Sequence, residues 1–223
     1  GAEVLVRWRK NDGSILPAHQ FISYVEDSGL IIPITYQLIE KVMRDLINIG
    51  WKDGNKFISI NIVPEHLTND HLCQRIVSLC ELYKIPTSTI SLEITERLKI
   101  PNLEQAKATL ANFHKYGIHL KLDDAGTGYG GFSYVQELGI NTIKIDKMFI
   151  DTIGKTDVKN NVLEAIISFI KTSGLDAIAE GVESQEQVEY LKQQGVYNIQ
   201  GYVYAKPMNL NELESWIFSY EFN

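Results

Sequence analysis

The fold is decided by one continuous stretch, residues 118–146, which reads IHLKLDD (118–124), AGTGYGG (125–131), FSYVQELGI (132–140) and NTIKID (141–146). The first and last runs alternate apolar and polar residues and are rich in β-formers, as strands are. The run between the glycines and the second strand has a short helical pattern. A strand, a helical crossover and a second strand favour two parallel strands in one sheet. The stretch therefore predicts a parallel sheet covered by helices.

The same alternation of strand and helix extends along the chain. Helical patterns separate most of the strands, and the clearest are 158–174 and 209–220. Seven parallel strands are expected, which is compatible with an open doubly wound sheet or with a nearly complete eight-stranded barrel. No linker-like segment interrupts the series, so one domain over residues 1–223 is expected. Besides 118–124 and 141–146, the predicted strands are 4–8, 57–62, 90–95, 175–180 and 197–202.

Composition excludes some classes of function. The 223 residues carry a formal net charge of −7 with acids and bases interspersed, which argues against a protein that binds duplex nucleic acid. No apolar run approaches the length of a membrane span, so no direct membrane contact is expected. Cys73 and Cys80 lie seven residues apart in a helical pattern. They are predicted to be buried free thiols.

Polar residues stand at or near the ends of six predicted strands, where helix-covered strands should be apolar. In a barrel the carboxyl ends of all strands meet at one face, where active sites form, so the barrel explains the pattern. Glu3 fits less well, because the predicted strand 4–8 places it at the start of a strand. The six residues are Asn61, Glu93, Asp123, Lys144, Glu180 and Gln200.

Convergence of three or four carboxylates has a chemical consequence. Such groups repel one another unless they are protonated or hold cations. Oxygen ligands from Asp, Glu and Asn suit Mg²⁺ or Mn²⁺. The sequence therefore favours a metal site at the strand ends.

The glycine-rich loop leaves a competing interpretation open. Gly126, Gly128 and Gly131 match G-x-G-x-x-G, and Asp146 follows at the distance typical of a dinucleotide-binding motif. Against this interpretation, the acids at 123–124 would repel a pyrophosphate, the crossover is short, and the motif lies in mid-chain. A loop that is glycine-rich for mobility is a third interpretation.

Six motifs stand out along the chain: EVLVRW (3–8), SINIVPEHL (59–67), LEITE (92–96), DDAGTGYGGFSYVQELGINTIKID (123–146), AEGVES (179–184) and QGYVYAKPM (200–208). Together they resemble the EAL-domain cyclic di-GMP phosphodiesterase family. The resemblance implies an α/β fold, a modified (β/α)8 TIM-like barrel whose first strand is antiparallel to the others. That strand would precede residue 1, so the domain is expected to be N-terminally incomplete.

The resemblance also implies roles for individual residues around two Mg²⁺ or Mn²⁺ ions. Lys144 would orient the attacking water, and Glu180 would be the general base. Arg7 and Gln200 would bind substrate, and Glu96 would anchor the loop after Asp124. Ala125 stands where the family usually has phenylalanine, which puts the level of activity in question. The implied metal ligands are Glu3, Asn61, Glu93, Asp123, Asp124 and Glu180.

The activity implied is metal-dependent hydrolysis of cyclic di-GMP to linear pGpG. A homodimer, an appended regulatory or sensory domain and a cytoplasmic location of this domain are also implied, with membrane tethering of the whole protein left open. A non-catalytic cyclic di-GMP receptor remains the main alternative. A pure interaction module would not need Lys144 and Glu180 at strand ends.

Overall fold

The computed structural model describes residues 1–51, 54–95, 100, 102–125, 135, 137–155 and 158–221. Its main sheet has seven strands, all parallel, which lie in the sheet in the order in which they occur in the chain. A doubly wound sheet would reverse this order at a switch point, whereas sequential winding is that of a barrel. The strands are β1 (Ala2–Glu3), β4 (Ile58–Ile62), β5 (Ile90–Thr95), β6 (His119–Ala125), β7 (Thr142–Ile145), β8 (Asp176–Ala179) and β9 (Asn198–Ile199). The barrel interpretation is confirmed.

Helices follow most of the strands in the described part of the chain. The helical patterns at 158–174 and 209–220 are confirmed, and Gly117 and Gly174 end their helices in the left-handed conformation, with φ of 73° and 67°. Asn102 and Ser184 cap two helices with their side chains. The helices are α1 (Ile22–Asp27), α2 (Ile31–Asn48), α3 (His71–Tyr83), α4 (Leu103–Lys115), α5 (Lys147–Ile150), α6 (Val158–Ser173), α7 (Gln185–Gln193) and α8 (Leu210–Glu221).

The main core lies between the outer face of the sheet and the inner faces of these helices. Alternate residues of β4, Ile58, Ile60 and Ile62, are buried there. Cys73 and Cys80 are buried on α3 and unpaired, and burial raises the pKa of each thiol to about 11. The expectation of buried free thiols is confirmed.

The start of the chain differs from the sequence prediction. The run 4–8 is not one strand, because the chain leaves the sheet after β1 and forms a separate antiparallel hairpin of β2 (Arg7–Arg9) and β3 (Ile15–Pro17). The hairpin turns at Gly13, with φ of 85°, and Asp12 accepts a hydrogen bond from the Ser14 amide at 2.8 Å. The prediction was wrong because hairpin strands and sheet strands share the same alternation.

No helix in the described ranges is both long enough and apolar enough to cross a membrane.

Candidate active site at the carboxyl ends of the strands

The register of the sheet brings the predicted polar residues together. Asn61 on β4 lies beside Glu93 on β5, and Thr95 lies beside Asp123 on β6. Because side chains alternate along a strand, residues two apart face the same side of the sheet. The polar residues therefore face the interior of the barrel at its carboxyl-terminal end.

Lys144 stands at the centre of this cluster, with its side chain 1% exposed. Its Nζ lies 2.6 Å from Glu93 Oε2 and 2.8 Å from Glu180 Oε1. The distances from Nζ to Asp123 Oδ1 and Glu3 Oε2 are 3.2 and 3.4 Å. Three carboxylates from strands β1, β5 and β6, and a fourth from the residue directly after β8, thus surround one ammonium group. We call Glu3, Glu93, Asp123 and Glu180 the carboxylate cluster.

Glu3 belongs to this cluster, although it fitted the sequence pattern poorly. It ends β1 rather than starting a strand, which corrects the prediction. Asn61 Nδ2 donates to Glu3 Oε1 at 2.9 Å, and Gln200 Nε2 donates to Glu3 Oε2 at 2.8 Å. Burial would raise the pKa of Glu3, but Lys144 and these two amides outweigh burial and lower the pKa below its usual value. Glu3 is thereby held as a carboxylate.

Burial and charge act in opposite directions on the other members. Burial raises the pKa of Glu93, although Lys144 opposes this effect. Burial also raises the pKa of Glu180, to about 8, and Lys144 again acts against it. Burial alone would lower the pKa of Lys144, but the surrounding carboxylates, led by Glu93, raise it well above its usual value. Lys144 is therefore a permanent cation.

The end of β6 carries a local irregularity. The pairing of β6 with β7 shifts register between Leu122 and Ala125, and Asp124 adopts the left-handed conformation with φ of 55°. This conformation is uncommon outside glycine, although Asp tolerates it better than most residues. Two adjacent acids therefore do not simply alternate between the two faces of the sheet here, and strained residues of this kind cluster at functional sites.

Close backbone contact holds the last strands in place. The backbone amide of Gln200 donates to the Ala179 carbonyl, and the backbone amide of Val182 donates to the Gln200 carbonyl. A Cβ on Gly201 would lie 2.1 Å from the Val182 carbonyl oxygen, so only glycine fits. Lys147 joins α5 to the segment after β8, donating to Glu183 Oε1 at 2.9 Å. These contacts hold Gln200 against β8, and the Glu180 backbone amide, which donates to the Ile145 carbonyl at 3.1 Å, holds Glu180 against β7.

Sequence reasoning missed one member of the site, Lys121. This residue is 5% exposed, and its Nζ lies 3.6 Å from Glu93 Oε1. It donates a 2.7 Å hydrogen bond to Ser59 Oγ. The available signal was its position two residues before Asp123, which places both on one face of β6.

Some predicted residues lie apart from the cluster or outside the described part of the chain. Arg7 is on β2, exposed, and donates to the carbonyl of Val6. Glu96 and the glycines Gly126, Gly128 and Gly131 lie outside the described residues. The roles predicted for these residues stay predictions.

The donor set suits a hard divalent cation. Carboxylate and amide oxygens are the ligands of Mg²⁺ and Mn²⁺, and an ammonium already draws four carboxylates to one point. Within the described ranges, no group of three His, Cys, Asp or Glu side chains is placed to hold a metal ion, and the centre of the carboxylate cluster is occupied by the Lys144 ammonium. Residues that could hold a cation are therefore Glu3, Asn61, Glu93, Asp123 and Glu180, after Lys144 gives up part of its contacts.

Two solved structures are similar to this chain over nearly its whole length. The chain superposes on the structure entitled PaMucR phosphodiesterase, c-di-GMP complex, with a TM-score of 0.85 and 25% identity, covering 95% of this chain and 86% of that one. It also superposes on the EAL enzyme Bd1971 in its cAMP- and cyclic-di-GMP-bound form, with a TM-score of 0.88 and 28% identity over 96% of this chain and 59% of that one.

Curated sequences give the same result. The chain is 34% identical over 216 residues to the probable cyclic di-GMP phosphodiesterase PdeB of Escherichia coli K12, covering 97% of this chain and 41% of that protein. It is 33% identical over 219 residues to the cyclic di-GMP phosphodiesterase PdeL of the same organism, covering 97% and 60%. The chain thus spans about two fifths to three fifths of these relatives.

The family assignment covers nearly the whole chain, since the EAL domain family matches residues 1–207. The residues within this match include every member of the carboxylate cluster and Lys144. The chain therefore belongs to the EAL domain family.

Proposed function

We propose that this chain is a metal-dependent phosphodiesterase domain that hydrolyses cyclic di-GMP to linear pGpG, and that residues 1–223 form one domain. The observation that carries the proposal is the gathering of four carboxylates around the Lys144 ammonium at the carboxyl-terminal face of the barrel. One ammonium cannot neutralise four converging carboxylates, and such a surplus of acidic groups suits a site that binds further cations. Relatives named as cyclic di-GMP phosphodiesterases support the substrate.

Each polar residue has a proposed task. Glu3, Asn61, Glu93 and Asp123 would hold one divalent ion, and Asp123, Asp124 and Glu180 a second. Two such ions supply a hydroxide at neutral pH and neutralise charge on the phosphoryl oxygens.

The protein's own groups control the proton and the orientation of the reactants. Lys144 would donate a hydrogen bond that orients the attacking water. Glu180, 2.8 Å from Lys144, would accept a proton from that water. Gln200 is fixed by its bond to Glu3 and would present the substrate together with Arg7. The proposed orienting lysine thus lies on β7, and the proposed base directly follows the neighbouring strand β8.

The test is chromatography of cyclic di-GMP incubated with the protein in Mg²⁺, Mn²⁺, Ca²⁺ or chelator. We expect pGpG with Mg²⁺ or Mn²⁺ and none with chelator. Glu93→Gln should abolish turnover, because it removes a buried charge from the cluster. Glu104→Gln is the matched control, since its side chain is 86% exposed on α4.

Two results would contradict the proposal in different ways. Cyclic di-GMP that binds but is never cut would indicate the receptor alternative. Turnover that persists in chelator, or in Glu93→Gln, would refute the metal site.

A further inference from the structure

A second buried lysine lies beneath the carboxylate cluster and has no task in the proposed reaction. Lys121 Nζ is 2.7 Å from Ser59 Oγ and 4.0 Å from the ring centre of Phe57. Lys121 and Lys144 are the buried lysines in the described part of the chain. Removing an ammonium group from water is costly, so the position of Lys121 calls for a physical explanation.

Lys144 and Lys121 each lie near a different oxygen of the Glu93 carboxylate. Lys144 lies 2.6 Å from Oε2, which is a hydrogen bond, whereas Lys121 lies 3.6 Å from Oε1, which is too far for one. Ser59 and Phe57 fix the Lys121 ammonium in this place. Lys121 therefore acts on Glu93 through its charge and not by a hydrogen bond that orients the carboxylate.

Charge near a metal site changes its affinity for cations. An ammonium beside Glu93 stabilises the carboxylate cluster before a divalent ion binds, and it repels the ion that competes for the same oxygens. Such a coupling is reciprocal. The free energy of attraction between the Lys121 ammonium and the metal-free carboxylate cluster therefore works against metal binding. The Lys121 side chain is 6% exposed and the Glu93 side chain 1% exposed, so solvent and salt screen this interaction little.

We propose that Lys121 is a fixed internal counter-charge that weakens divalent cation binding at the carboxylate cluster and sets the concentration at which the site fills. This inference rests on the proposed function insofar as the cluster must bind such ions. It adds a residue that tunes the site without being a ligand.

The test measures Mn²⁺ affinity directly, by calorimetry and by Mn²⁺ paramagnetic resonance on protein freed of metal. Lys121→Met, which keeps the length of the side chain and removes the charge, should lower the Kd for Mn²⁺ about tenfold or more. Lys121→Arg keeps the charge and should bind as the original protein does. Lys107→Met removes a half-buried surface lysine that pairs with Glu104 and Glu137, and should leave the Kd unchanged.

Thermal unfolding gives a second measurement. The rise in melting temperature between chelator and saturating Mn²⁺ should be larger for Lys121→Met than for the original protein, because the substitution removes a charge that opposes the ion. In a Glu93→Gln background most of the effect of Lys121→Met on the Kd should disappear, because the coupling runs largely through Glu93.

The outcomes separate the two proposals. Lack of Mn²⁺ binding by the original protein would refute the metal site itself. Binding by the original protein with an unchanged or weaker affinity in Lys121→Met would refute the role of Lys121 alone. A rise in melting temperature on adding Mn²⁺ that is equal in Lys121→Met and in the original protein would show a merely structural lysine, and would overturn the inference as well.

Discussion

Replacing Lys144 with methionine should strongly destabilise the metal-free protein. The ammonium is 1% exposed and is the nearest positive charge to Glu93 Oε2, so its removal leaves a buried carboxylate without its closest partner. Removing one member of a buried ion pair costs about 3–5 kcal/mol. Glu180 and Asp123 also lose a partner, but both are more exposed and contribute less. We therefore expect a loss of about 4 kcal/mol in the free energy of unfolding.

Urea unfolding in chelator at neutral pH measures this loss. With a slope of about 3 kcal/mol per M, the midpoint should fall by about 1.3 M. Lys107→Met is the matched control, since Lys107 pairs with two carboxylates on the outer surface, and it should shift the midpoint by less than about 0.3 M. A Lys144→Met protein as stable as the original would refute the reasoning, because Lys144 would then not compensate the buried charge.

Two further predictions concern the backbone and a buried histidine. Gly201→Ala should lower the free energy of unfolding by about 2 kcal/mol or more in urea titrations, because its Cβ would meet the Val182 carbonyl; an unchanged stability would contradict this. Burial lowers the pKa of His66, so the unfolded chain takes up a proton that the folded chain does not, and stability should fall as pH drops below about 6.5. His66→Gln should reduce the slope of the free energy of unfolding against pH by up to about 1.4 kcal/mol per pH unit. His19→Gln, at an exposed position, is the control and should keep the slope of the original protein. An identical slope in the two variants would contradict the role given to His66.

The sequence was informative where local pattern and tertiary structure agree. The strands around Glu93 and Asp123 lie within two residues of their predicted ranges, because β-branched runs bounded by helical segments have few other solutions. Since parallel strands present their carboxyl ends at one face, the convergence of Asn61, Lys144 and Glu180 followed from topology. The predicted convergence depended on strand order and not on side-chain detail.

The sequence was uninformative where distant segments determine the environment. Lys121 lies in an alternating run that fits a solvated lysine equally well, and its partner Ser59 is 62 residues away. Glu3 was predicted to start a strand because the alternating residues of the hairpin strand β2 have the same pattern as a strand of the main sheet. Its bond to Gln200 spans 197 residues. Contacts of this kind depend on barrel geometry, which no local pattern encodes.

The most direct measurement is an anomalous diffraction map of crystals grown with Mn²⁺ and cyclic di-GMP, using Glu180→Gln to slow turnover. We expect Mn²⁺ coordinated by Glu3, Glu93 and Asp123, with a phosphate of the ligand beside the ion. We also expect Lys144 to be shifted from its central position. A map with cyclic di-GMP bound, no Mn²⁺, and the remaining carboxylates still gathered around Lys144 would contradict the account, and would indicate a receptor.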